Sequence, residues 1–117
     1  CLCVGEYSRK DDEDYKIYIK NQIENCLKGI TDLSKIIIAY EPVWAIGKDA
    51  LRPATSKEIV KVIQFIKSII NVKVLYGGSV DENNAKEILD LPNVDGLLIG
   101  RASSDPEKWE QLLTSLK

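Results

Sequence analysis

Two stretches of this 117-residue chain end an apolar run in residue types suited to moving a proton or gripping an anion, and a third adds to the second. Residues 36–40 are apolar and stop at Glu41, followed by Pro42-Val43-Trp44-Ala45-Ile46-Gly47. A carboxylate at a strand tip, beneath a rigid proline and a small-residue apolar segment, suits a general base covered by a loop. The same residues also fit a solvated strand-end acid with Trp44 as a packing residue. Further on, Tyr76-Gly77-Gly78-Ser79-Val80 ends another apolar run, and Gly100-Arg101-Ala102-Ser103 ends the next. Glycines there let the backbone approach a ligand, and successive N–H groups can cradle a phosphate. A lone Gly-Gly is ordinarily a turn. Two adjacent strand tips that both end in glycine ahead of a helix point more firmly to a phosphate cup. Gly5-Glu6, at the end of Leu2-Cys3-Val4, is less specific, because one acid after a glycine is commonly structural.

These tips need a scaffold, and the apolar periodicity describes one. Leu2-Cys3-Val4 reads as a short buried strand. After the charged residues 9–14, Ile19, Ile23, Cys26, Leu27 and Ile30 recur near 3.6 and form one face of a helix. Ile36-Ile37-Ile38-Ala39-Tyr40 is continuous and largely β-branched, as in a parallel strand buried on both faces. Thr55-Ser56-Lys57-Glu58 is a capping-box pattern, ahead of a stripe of Ile59, Val62, Ile63, Ile66, Ile69 and Ile70. Val72-Lys73-Val74-Leu75-Tyr76 is the third strand, and Ala85, Ile88 and Leu89 face inward on a shorter helix. Gly96-Leu97-Leu98-Ile99 is the fourth strand. Asp105-Pro106 opens a last helix, with Trp109, Leu112, Leu113 and Leu116 inside. The order βαβαβαβα, without linker or low-complexity tract, predicts one domain over residues 1–117 with a parallel sheet and right-handed crossovers. A small open sheet and half of a barrel both satisfy this pattern. In either, function lies beyond the C-terminal strand ends.

Composition excludes several classes. The 16 Lys+Arg nearly balance the 18 Asp+Glu, which argues against a nucleic-acid or membrane-surface protein. No apolar run approaches the roughly 18 residues of a membrane-spanning helix. Three cysteines and no histidine make a zinc site an unexpected feature, and a reducing cytoplasm is the simplest setting. A chain with no methionine that opens on an apolar run is expected to be a piece of something longer.

Ala39-Tyr40-Glu41-Pro42-Val43-Trp44-Ala45-Ile46-Gly47 resembles the catalytic strand and mobile lid of the triosephosphate isomerase family. Leu75-Tyr76-Gly77-Gly78-Ser79-Val80 is similar to that family's phosphate loop after the seventh strand. Cys3-Val4-Gly5-Glu6 and Asp95-Gly96-Leu97-Leu98-Ile99-Gly100 resemble its fifth- and eighth-strand signatures. The likeness spans essentially the whole chain and implies the C-terminal half, (β/α)4, of a TIM (β/α)8 barrel.

The resemblance implies an aldose–ketose isomerase of glycolysis and gluconeogenesis that works through an enediolate without cofactor or metal. Glu41 would be its base. A free glutamate is a weak base, with a pKa near 4.3, and desolvation under a closed lid disfavours the charged form. Ile46 and Leu98 match the apolar pair that clamps the carboxylate. Backbone N–H groups of Gly47, Ser79, Gly100 and Arg101 match the phosphate contacts, and Tyr76 and Ser79 would hydrogen-bond the closed lid of Pro42, Val43, Trp44, Ala45 and Ile46. Glu6 matches a supporting residue near Trp44.

Two departures stand out. Lys48-Asp49-Ala50-Leu51-Arg52-Pro53 is longer than the family's usual segment by about two residues, which alters the second hinge of the lid. Arg101 replaces a glycine, a feature that looks like isomerases of four-carbon sugar phosphates. The family's lysine and histidine belong to strands this chain lacks, so the chain alone is expected to be inactive. Its expected partners are a small sugar phosphate and the N-terminal half of the barrel, with a homodimer for the full-length protein and neither nucleic acid nor membrane. A non-catalytic phosphate-binding module is the other reading.

Overall fold

The computed structural model describes residues 1–11 and 13–117; Asp12, within the charged stretch, lies outside the described residues. The strands β1 (Leu2–Val4), β2 (Ile37–Tyr40), β3 (Lys73–Gly77) and β4 (Gly96–Leu98) alternate with helices α1 (Tyr15–Cys26), α2 (Ser56–Ile69), α3 (Ala85–Leu89) and α4 (Pro106–Ser115). Short 3-10 turns at Val43–Ala45 and Arg101–Ser104 follow β2 and β4. The strands lie in chain order, β1-β2-β3-β4, and every neighbouring pair is parallel.

Alternation along each strand sorts the side chains onto two faces. Val4, Ile38, Tyr40, Val74 and Tyr76 point to the helices and are at most 2% exposed. They meet Ile19, Ile23, Ile59, Val62, Ile63 and Ile66 in one core. Each such side chain contributes roughly 1.5–3 kcal/mol by leaving water. The edge-on contact of Tyr15 with Phe65, 5.7 Å between ring centres, joins α1 to α2. The start of α2 is fixed as its sequence suggests. Thr55 accepts from the Glu58 amide, and the Glu58 carboxylate accepts from the Thr55 amide.

Four sequence expectations need correction. β2 is not covered on both faces: Ile37 is 37% exposed, because among the described residues the helices all pack on one side of the sheet. The opposite face, carrying Cys3, Ile37, Leu75 and Leu98, is the inner wall of a half barrel. α1 stops at Cys26, so Ile30 lies beyond it and is 45% exposed. Gly29, at φ 81°, takes a left-handed conformation that no helix continues through. Ile70 and Val72 likewise fall outside α2 and β3, in the connection between them. On α4 only Leu112 is fully buried, while Trp109 and Leu113 are 36% and 44% exposed. The last helix follows the edge strand β4 and packs beside α3.

Candidate active site

Glu41 is the first residue beyond β2, and its amide extends the ladder by donating to the Val4 carbonyl at 2.8 Å. One step past Tyr40, it falls on the open face with Ala39. There its side chain lies across the tip of β3. A Cβ on Gly77 would stand 2.9 Å from the Glu41 Cγ, so this side chain occupies space that only a glycine leaves free. On its other side lies Cys3. Polar interaction with the Glu41 carboxylate, with partial desolvation and the carboxylate charge, holds the thiol above its ordinary pKa.

The loop after β2 begins with Pro42 and the turn Val43–Ala45. Its anchor is Trp44, only 5% exposed. The indole N–H donates to Glu6 Oε1 at 3.0 Å, and that oxygen also accepts from Arg9 Nη2 at 2.6 Å and from the Tyr40 hydroxyl at 3.1 Å. Glu6 is fully buried, so its charge is held by the Arg9 guanidinium rather than by water. Burial and the Glu6 charge push the Tyr40 phenol far above its ordinary value, which keeps it a neutral donor. Arg9 stacks over both Tyr15 and Trp44, at 4.8 and 5.4 Å from the ring centres.

Beyond Trp44 the chain enters the cleft. Gly47, at φ 82°, turns in the left-handed region that glycine favours. The Ala45 carbonyl accepts from Ser79 Oγ at 3.0 Å, tying the loop after β2 to the loop after β3. Among the described residues Tyr76 has no hydrogen bond to the loop after β2; its hydroxyl lies against Gly78, and burial pushes its pKa up to about 12.

One cleft of about 790 Å³ collects Glu41, Ile46, Gly47, Ser79, Leu98, Gly100 and Arg101. Pro42, Val43, Trp44, Ala45, Tyr76 and Glu6 stand outside its lining. The arrangement puts Glu41, Ile46 and Leu98 beside the glycine loops and the cationic residues Arg101 and Lys108. It can hold an anionic small molecule while a carboxylate moves a proton. Among the described residues no group of three or more His, Cys, Asp or Glu side chains could hold a metal ion, and no helix is long and apolar enough to cross a membrane.

Several participants were not singled out from sequence. Lys108 on α4 reaches the cleft, as do Asp81 and Glu82, which make its rim less positive than the glycine loops suggest. Cys3, Arg9 and Tyr40 surround Glu41 or Trp44 through contacts 31–38 residues apart in the chain, or across strands, and carry no local signal. Gly77 had a signal, but its glycine serves the Glu41 side chain directly.

Comparison with known proteins agrees with this geometry. A family model described as triosephosphate isomerase matches residues 1–116. A triosephosphate isomerase from Mycoplasma mobile is 44% identical over 115 residues, covering 96% of this chain and 47% of the relative. Those from Aquifex aeolicus and Protochlamydia amoebophila are 41% and 43% identical, covering 97% and 96% of this chain and 50% and 47% of their own lengths. The chain thus spans about half the length of the curated relatives it matches.

Proposed function

The chain belongs to the triosephosphate isomerase family, and from that premise we propose that it is the C-terminal half of a barrel, strands five to eight, that interconverts glyceraldehyde 3-phosphate and dihydroxyacetone phosphate. The observation that carries this reading is the position of Glu41, on the open face of the sheet, in the same cleft as the glycine tips of β3 and β4. Glu41 takes a proton from the carbon beside the substrate carbonyl, which leaves an enediolate, and returns it to the adjacent carbon. The substrate is oxidised at one carbon and reduced at the next, so no external oxidant or cofactor is needed.

The phosphate rests on the amides of Gly47, Ser79, Gly100 and Arg101. Ile46 and Leu98 exclude water from the carboxylate as the lid closes. The negative charge that develops on the substrate oxygens needs a donor or cation opposite Glu41. This chain holds no histidine, and in this reading the N-terminal half supplies that electrophile. The 117 residues alone are therefore inactive, the assembled protein is a homodimer, and its setting is the cytoplasm, which suits three free cysteines that are all exposed.

Arg101 supports a second reading. Its side chain lines the cleft, which favours a longer substrate such as a four-carbon sugar phosphate. A coupled isomerase assay on the chain, with and without the N-terminal half of the Mycoplasma mobile relative, tests both. Activity on triose phosphates only after complementation, lost in Glu41→Gln, is the expected result. A preference for tetrose phosphates selects the second reading. Phosphate binding without turnover in the complemented barrel would leave a binding module and overturn both.

A further inference from the structure

The segment after the lid, which departs from the family pattern at residues 48–53, returns to the lid's own anchor. The Leu51 amide donates to the Trp44 carbonyl at 2.9 Å, closing the lid tip into a loop with a neck at Trp44 and Leu51. Arg52 then lays its guanidinium over the Trp44 ring, 4.7 Å from its centre, on an indole already stacked by Arg9. From there it forks onto Glu58, with Nη1 to Oε2 at 2.9 Å and Nη2 to Oε1 at 2.6 Å. Glu58 is itself fixed by the Thr55 amide and hydroxyl in the capping box of α2.

We propose that Arg52 is a positioning residue of the lid, a clasp that joins the Trp44 anchor to the capping box of α2 and so sets where Ile46 and Gly47 meet the cleft. The proposal rests on the isomerase reading given above. An ordinary surface ion pair would contribute little, and the Arg52 side chain is itself 51% exposed, but the groups it joins are held in place. Trp44 is buried, and the Glu58 side chain is only 16% exposed, fixed by the helix cap and 3.9 Å from Arg9 Nη1. A planar fork between two fixed groups loses little freedom on forming, and the guanidinium face remains available to the indole. Residues 45–50 have both ends pinned at one place, so the tip moves about the neck rather than sliding along the chain. Loosening the clasp lets the tip open during the lifetime of the enediolate, when an exposed intermediate expels phosphate.

Two readouts separate this role from a contribution to stability. In the 117-residue chain, hydrogen exchange at the Trp44 indole N–H reports the neck, with the backbone amide of buried Val74, bonded to Asp95, as an internal reference for the folded state. Arg52→Ala should speed Trp44 exchange about tenfold without changing Val74. Glu58→Gln, which keeps an acceptor for the cap, should do the same, and Arg52→Lys should restore most of the protection. In the barrel completed with an N-terminal half, Arg52→Ala should raise the fraction of turnovers lost to phosphate elimination severalfold, with Arg52→Lys again close to the unaltered protein. Unchanged Trp44 exchange in both Arg52→Ala and Glu58→Gln overturns the clasp, as does an unchanged elimination fraction in an active barrel. A barrel that does not isomerise even unaltered sinks the isomerase reading instead, and the exchange experiment then decides the clasp alone.

Discussion

Around Glu41 and Trp44 single atoms decide the arrangement. The open space over Gly77 is filled by the Glu41 side chain, so Gly77→Ala should displace the carboxylate while the strand stays intact. A misplacement on the order of 1 Å costs about 100-fold in rate. In a complemented barrel we therefore expect kcat to fall about that much, with circular dichroism unchanged; undiminished kcat would show that the base does not work from this position. Glu6 has the opposite character. Its Oε1 holds Arg9, Tyr40 and Trp44 together without water. Glu6→Ala leaves the buried Arg9 cation with the longer contact to Glu58, Nη1 to Oε1 at 3.9 Å, and breaking a buried pair costs roughly 3–5 kcal/mol. Urea unfolding of the chain should show a loss of that size; one below about 1 kcal/mol would mean that the three donors find other partners.

At the scale of elements, α2 shows how sequence becomes structure and where that legibility ends. Its cap and apolar stripe depend on residues three and four apart, so both were readable. Removing the cap hydroxyl in Thr55→Ala should cost about 1 kcal/mol in urea unfolding. The Arg52 hydrogen bonds lower the Glu58 pKa from 4.5 to about 2, with help from Thr55. A carboxylate depressed on folding stabilises above its unfolded pKa and loses that contribution as pH falls through the folded value. The stability of the chain should therefore carry an acid-labile component between about pH 4.5 and 2 that is reduced in Glu58→Gln; identical acid profiles for the two proteins would refute it. The tail of α1 and the outer side of α4 were misread because apolar spacing reports a face, not whether a neighbour exists to cover it. The glycine tips and Glu41 were visible as strand ends. The Glu6–Arg9–Tyr40 cluster and the Arg52 stack were not, because they depend on strand register and on the path of a loop.

The whole molecule is a curved wall with one finished side. Its inner face exposes Ile37 and Leu98 at 37% and 36%, and β1 and β4 each leave an outer edge without a strand partner among the described residues. Such edges and faces pair with other chains. The chain alone should sediment as a concentration-dependent mixture of oligomers, and an N-terminal half should convert it to a one-to-one complex that binds less of a hydrophobic dye. A sharp monomer boundary at high concentration would contradict this. The order of the strands has a separate consequence during synthesis. Each strand after β1 pairs with the one made just before it, so between β1 and β4 no hydrogen-bonding row waits for a distant stretch of chain, while the outer edges of β1 and β4 stay open among the described residues. A ribosome releasing this sequence can thus lay down the wall one stave at a time. Glu41 and the loop after it emerge with the second stave, but the glycine that makes room for the carboxylate arrives only with the third. The geometry of that carboxylate cannot settle until then.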